Sequence, residues 1–400
     1  MLSKLAGALA LATIIAAILP PGYPAYIGAY AAIALCALAL LVFGVPEREG
    51  FRQPTSLATI AAIALVALTV PFTYRGDQDL LAPVFVLPML CVPALGLLAR
   101  PARWVPGFTL FAVICLVAAV VAFSGGVYER YVLGIYRPGM GNNPIHFASL
   151  AVMAGSLAMV GVAASAAPWR YIFLLGPILG LACAIIADSR GPMVGGAAMV
   201  AVGLSTLLIW CWREGLFRLA FLAAAAVGAG AAAYLVATGN TRVAGIIDSA
   251  LNIFRFTGGS DDIRAALYHS ALHALAQSPL YGIGLGQIMH PAQELFPQQG
   301  QVFSLDNLHA DWANFATMSG GMGLLAYLLL IAAPLLLLLH RPARQQRPIV
   351  LGALLLSSGQ LILGISNAMF GILPQTVIYA VALGYLLLQA RRLDLEHPLH

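Results

Sequence analysis

Of the 400 residues, 61% are hydrophobic and only 9% are Asp, Glu, Lys or Arg. An ordinary globular chain carries about 25% charged residues, so a water-soluble fold of this length lacks the polar groups to cover its surface. The same hydrophobicity excludes an intrinsically disordered chain. The net charge of +5 comes from 20 basic residues scattered along the sequence, which form no nucleic-acid patch. Most of this chain must be solvated by lipid.

A bilayer core about 30 Å thick needs about 20 apolar residues in a helix. Apolar runs interrupted by polar breaks predict twelve spans, near 3–19, 24–45, 57–73, 81–99, 104–123, 145–167, 170–187, 191–212, 216–237, 311–339, 349–367 and 371–390. The first follows Lys4 in the manner of a signal peptide, and is read as a retained membrane helix. Strands alternating apolar and polar faces are absent, which rules out an outer-membrane barrel. The expected fold is therefore an all-α polytopic membrane protein: helices over 1–237, a long polar loop over 238–310, and three further spans with a short tail over 311–400. The five cysteines lie in or beside apolar runs without paired spacing, as small buried hydrophobes do.

Basic residues set the orientation. With a cytoplasmic N-terminus, the inner segments hold Lys4, Arg48, Arg52, Arg100, Arg103, Arg170, Arg213, Arg218, Arg341, Arg344, Arg347, Arg391 and Arg392. The outer segments hold Arg75, Arg130, Arg137, Arg190, Arg242, Arg255 and Arg264. An even number of spans also returns the Arg391–Arg392 pair to the cytoplasm. Inner loops are short, so the expected site lies at the outer face. Two outer segments have room for it: the loop near 124–144, and the stretch from 238 to 310.

The long loop opens with Thr241–Phe256, whose Val243, Ile246, Ile247, Ala250, Leu251 and Phe254 recur at helical spacing, as in an amphipathic helix lying in the membrane interface. After Gly258 and Gly259, Ser260 or Asp261 can cap a second helix running to about Ser278 before Pro279. His269 and His273 stand four apart, a metal-ligand spacing, but no third ligand accompanies them. Gly282, Gly284 and Gly286 lack the strand and spacing of a nucleotide loop and read as a flexible turn. Asp77-Gln78-Asp79 has the form of a D-x-D cation site and reads equally well as a solvated loop. No metal or other cofactor is expected.

At the entrance to the tenth span, His309-Ala310 is followed by nine residues and then Gly320-Gly321-Met322-Gly323. This pattern, H-[small]-x9-G-x-x-G, resembles the signature shared by O-antigen ligases, O-antigen polymerases and bacterial protein O-oligosaccharyltransferases. Asn142-Asn143-Pro144-Ile145, Asp188-Ser189-Arg190-Gly191, Arg264 and Ser278-Pro279-Leu280-Tyr281-Gly282-Ile283-Gly284 are similar to the same superfamily in order and placement. The resemblance covers roughly residues 125–330. It implies a GT-C-like membrane enzyme whose partners are undecaprenyl-diphosphate-linked O-antigen, a lipid A–core acceptor and membrane lipid. It also implies an inner-membrane location with a periplasmic site. Ala310 and the short C-terminal tail fit the ligase branch first and the polymerase branch second. A lipid-linked glycan transporter is the rival from another class, but no span carries a charge near its middle.

Transfer of a glycan from a lipid diphosphate needs a base for the attacking hydroxyl and cations for the departing diphosphate. Histidine titrates near neutrality, and guanidinium donors match phosphate oxygens. The expected base is His309. Arg190, Arg264, Arg137 and Arg130 are the expected diphosphate ligands, and Asn142, Asn143, Tyr268 and Asp311 the expected lining of the substrate pocket.

Overall fold

The computed structural model describes residues 2–219, 221–222 and 260–396, and every regular element among them is helical. The chain is a polytopic membrane protein: ten described helical segments are long and apolar enough to cross a membrane. An eleventh, α1 (Leu2–Ile18), is a 17-residue apolar helix. These eleven coincide in place with eleven of the twelve expected spans. The remaining one, 216–237, lies almost wholly outside the described residues, as do the interfacial helix expected over Thr241–Phe256, Arg242 and Arg255. The inference from an even span number therefore rests on sequence alone.

Proline sets several helix starts. α2 (Pro24–Phe43), α3 (Pro54–Thr73) and α6 (Pro144–Ala158) each begin on proline, where the missing N–H leaves no bond unmade. Proline also breaks the fourth span. Pro83, Pro88 and Pro93 remove donors from Asp77–Leu97, which crosses as two 3₁₀ segments ending in the short α4 (Cys91–Leu97). α5 (Phe108–Val127) runs on into one π-helical turn, Tyr128–Val132. Then follow α7 (Leu175–Ile186), α8 (Arg190–Cys211), α9 (Ser260–Gln277), α10 (Asp311–Leu336), α11 (Arg347–Ser366) and α12 (Leu373–Glu396).

α6 with its continuation to Ala164, and α12, are each 89% buried over their apolar stretch and form the centre. Around them α5 and α7 pack on α6, α4 on α12, α3 along α10, and α8 on α11. The α6–α7 contact is made by small residues. A Cβ on Gly155 would meet the Gly176 carbonyl oxygen at 2.3 Å, so only glycine permits this approach. α9 and the following segment to 310 enclose their own apolar cluster around Tyr268, Met289 and Leu308. All five cysteines are buried and free.

The two ends of the bundle differ in chemistry. One is tied by ion pairs: Arg170 binds Glu214, and His340 meets Asp394 at 2.6 Å. There too Arg391, only 4% exposed, donates to the Gly96 carbonyl at 2.6 Å. The other end gathers the loops around residues 22, 76, 140, 188, 282 and 309.

Candidate active site

His309 precedes the first turn of α10 in a left-handed conformation, φ +52°. Its N–H is held by Asn307 Oδ1 at 2.9 Å, and the Leu308 N–H by Asn314 Oδ1 at 2.9 Å. Two side chains of the same short segment thus fix the backbone around the imidazole. Only three described non-glycine residues have positive φ: Met140, Asp188 and His309. Such strain persists where surrounding contacts over-determine it, and it clusters at functional sites. All three lie at the same end of the bundle.

The glycines of the motif have a structural task. α10 is kinked at Gly320 (φ +60°), and the turn 279–284 inserts into the break. Ile283 and Gly284 N–H donate to the Thr317 and Met318 carbonyls at 2.9 and 3.1 Å; Gly321 and Met322 N–H donate to those of Pro279 and Leu280 at 2.7 and 3.2 Å. Backbone groups freed by the kink are thereby satisfied, as a membrane interior demands. A Cβ at Gly320 would stand 2.6 Å from Gly282 N. The expectation of a flexible turn at Gly282 and Gly284 is corrected: both have positive φ and are fixed by these bonds. The D-x-D reading changes too. Asp79 is buried and accepts from the N–H groups of Arg75, Gly76 and Gly286 at 2.9, 3.2 and 2.8 Å, so it pins the 76 loop to the 286 turn.

Arg130 and Arg137 lie on the loop between α5 and α6, both half-buried. Glu129 organises this loop by accepting from Gly139 and Met140 N–H at 2.8 and 2.7 Å. Arg137 donates from Nε to the Ala187 carbonyl at 3.3 Å and from Nη2 to Ser189 Oγ at 3.4 Å. Arg130 lies over the Tyr136 ring, 4.7 Å from its centroid, with Nη1 buried and unbonded. Arg190 is the first residue of α8, half-buried beside the Ser189 that Arg137 holds. Arg130, Arg137 and Arg190 therefore belong to one local assembly.

Arg264 lies on α9. Its charge acts on His309, where with burial, the larger cause, it holds the imidazole pKa below the ordinary value of 6.5; Asp306 partly opposes them. A guanidinium beside a partly desolvated imidazole favours the neutral base. His309 and Arg264 thus share one electrostatic environment.

Of the four residues expected to line a pocket, Asp311 and Tyr268 are buried in the fold, whereas Asn142 is half-buried and Asn143 exposed. Asp311 is fully buried, and its carboxylate accepts from Met369 and Phe370 N–H at 2.7 and 3.0 Å and from Gln360 Nε2 at 3.0 Å. It anchors the α11–α12 turn. Tyr268 is also fully buried; its hydroxyl donates to the Ile365 carbonyl at 3.2 Å, and its ring lies 5.4 Å from that of Trp312. Asn143 caps α6 by accepting from Ile145 N–H at 2.9 Å, while Asn142 donates to the Gly22 carbonyl at 3.3 Å. In each case the polar group meets a backbone group that would otherwise go unpaired.

Three residues absent from the expected set are linked electrostatically to His309, directly or through Asp306. His146, on the first turn of α6, is within electrostatic range of both His309 and Asp306, and its Nδ1 is buried without a hydrogen bond. Tyr26 of α2 is within range of Asp306. Asp306 itself is exposed, three residues before His309. His146 follows directly on the Asn142–Ile145 motif, the one signal in the sequence that points to it. His269 and His273 are exposed, His273 against Gln277 at 2.9 Å, and no group of three metal-binding side chains occurs among the described residues.

Residues 175–328 match the family model described as O-antigen ligase. The matched stretch contains Arg190, Arg264, the 279–284 turn, His309 and the kink at Gly320. No curated protein matches the chain.

Proposed function

With residues 175–328 carrying that match, the chain falls in the O-antigen ligase superfamily, and from this premise we propose that it is an inverting, metal-independent glycosyltransferase. The donor is O-antigen on undecaprenyl diphosphate, the acceptor a sugar hydroxyl of lipid A–core, and the reaction takes place at the periplasmic face of the inner membrane. His309 removes the proton of the acceptor hydroxyl. The resulting oxygen attacks the anomeric carbon, the bond from that carbon to the diphosphate oxygen breaks, and the lipid diphosphate departs with the electron pair. Arg190 and Arg264 neutralise the charge that develops on it, and Arg130 and Arg137 extend the same positive wall.

The observation that carries this reading is that half-buried His309 stands within electrostatic range of Arg264, whose charge together with burial lowers its pKa. A neutral imidazole accepts a proton near neutral pH, and a guanidinium nearby can neutralise the departing diphosphate. The test is reconstituted transfer from purified donor to lipid A–core. His309→Ala is expected to lower turnover by about 10²–10⁴-fold while both lipids still bind. Retained transfer in that variant removes His309 from the chemistry. Lengthening of lipid-linked chains, with lipid A–core untouched, makes the protein a polymerase.

A further inference from the structure

Arg190 opens α8 and Arg264 lies on α9, yet both helices close on one further element, the end of α11 and its turn into α12. On the α9 side the contact is Tyr268, one helical turn after Arg264 and on the same face. Its hydroxyl donates to the Ile365 carbonyl at 3.2 Å. Ile365 belongs to the last turn of α11, where carbonyls lack a partner within the helix, so this bond answers a need of the backbone. On the α8 side the contact is Gly191, next to Arg190. A Cβ there would meet Asn367 Nδ2 at 2.5 Å, and Asn367 Oδ1 and Ser366 Oγ both at 2.9 Å. Gly195, four residues on, approaches Leu363 in the same way, so α8 lies against α11 along a seam of small residues spaced by four. Asn367 is only 4% exposed and ends α11 in an extended conformation. Just beyond it the turn is fastened to α10, where Asp311 takes the Met369 and Phe370 N–H groups.

We propose that residues 365–367, through Tyr268 and Asn367, set the position of Arg190 relative to Arg264 and so the span of the donor diphosphate site. This deepens the proposed function and rests on it. Two cations act together on a diphosphate only when their separation matches its oxygens, and a misplacement of about 1 Å can cost about 10²-fold in rate. An arginine side chain is long and flexible, so that register has to come from the backbone that carries it. The end of α11 supplies a common reference for both backbones. The glycine seam sets how closely α8 approaches it, and the Tyr268 hydroxyl sets where α9 rests on it. Tyr268 and Asn367 act through the arginines and are positioning residues. The turn lies beyond residues 175–328, so the family match does not reach it.

The experiment measures donor and acceptor KM separately on full-length protein in nanodiscs, with thermal midpoints taken on the same preparations. Tyr268→Phe keeps the ring and removes only the hydroxyl. It is expected to raise the KM for the undecaprenyl-diphosphate-linked donor about five- to tenfold, the worth of one hydrogen bond, while the acceptor KM stays within about twofold. Gly191→Ala drives a methyl group into the Asn367 amide and is expected to act in the same direction. Adding Asn367→Ala takes that amide away and returns the donor KM toward the wild-type value, a rescue that a general loss of packing does not give. Should Gly191→Ala fail to fold, Tyr268→Phe carries the test. An unchanged donor KM in either folded variant, donor and acceptor KM rising together, or a double variant no better than Gly191→Ala overturns the proposal. Arg190→Ala and Arg264→Ala separate it from the reading beneath. If those two leave the donor KM unchanged, the diphosphate site itself falls; if they raise it and Tyr268→Phe does not, only the positioning role falls.

Discussion

The hydroxyl of Tyr136 donates to Asp188 Oδ2 across 3.0 Å. With the two bonds from Arg137 to Ala187 and Ser189, it fastens the loop bearing Arg130 and Arg137 to the turn that opens α8 at Arg190. The three arginines come from segments more than 50 residues apart, so this fastening sets their spacing. Tyr136 is exposed, and one exposed hydrogen bond contributes only about 0.5–1 kcal/mol to stability. Tyr136→Phe should therefore leave the thermal midpoint almost unchanged while raising the donor KM several-fold, because a diphosphate requires its cations in register. An unaltered donor KM would separate this loop from donor binding.

Asp311, expected from the sequence to line the substrate pocket, holds backbone together instead. Three donors converge on it, two of them backbone N–H groups 58 and 59 residues away. Asp311→Ala would leave all three without an acceptor, at about 1–3 kcal/mol each for a buried group. The expected outcome is a large fall in thermal stability and yield, while transfer per correctly folded molecule persists. A stable variant with abolished turnover would return Asp311 to the substrate pocket.

What could be read from the sequence divides along physical lines. Spans were legible because lipid solvation requires about 20 apolar residues in succession, and even the proline-broken 77–97 segment kept its hydropathy. His309 stood out by the glycine motif that follows it, and the arginines because charge at the end of an apolar run has to be explained. The bonds of Tyr268 and Asp311 were not legible, because a buried polar side chain is defined by its partner. Tyr268 bonds to Ile365 and Asp311 to the 369–370 backbone, contacts that no local pattern encodes. His146 escaped notice as one polar residue inside an apolar helix. Its neighbourhood exists only once α6 is placed beside the 306–309 segment.

The kink in α10 makes a sharp prediction about the glycine motif. Gly320→Ala would force a left-handed alanine, costing about 1–2 kcal/mol, and would drive its Cβ to 2.6 Å from the Gly282 nitrogen and the Leu280 backbone. Backbone atoms cannot move aside as a flexible side chain can, so the 279–284 turn should detach and folded protein be lost. Gly321→Ala is the control. There the nearest atom is the Pro279 carbonyl oxygen at 3.0 Å and φ is not positive, so it should be tolerated far better in a detergent melting assay. Equal behaviour of the two variants would mean that the kink is not required.

The pH dependence follows from the groups around His309. Burial and Arg264 depress its proton affinity, while Asp306 raises it; His146 lies within electrostatic range and adds positive charge whenever protonated. In the proposed reaction the base is the neutral imidazole, so transfer should be level at neutral pH and fall only on acidification, through a midpoint below 6.5. Stability follows the same sign. Between the unfolded value of 6.5 and the lower folded value, the unfolded chain binds a proton that the folded chain does not, so stability declines as pH falls through that window. Asp306→Asn removes the one influence that favours the charged form, and should move the acid limb to still lower pH. Arg264→Gln removes a depressing charge and should move the limb of its residual activity upward. Measured log-rate profiles for the wild type and the two variants decide the matter: an acid limb that shifts in neither variant would mean that another group takes the proton.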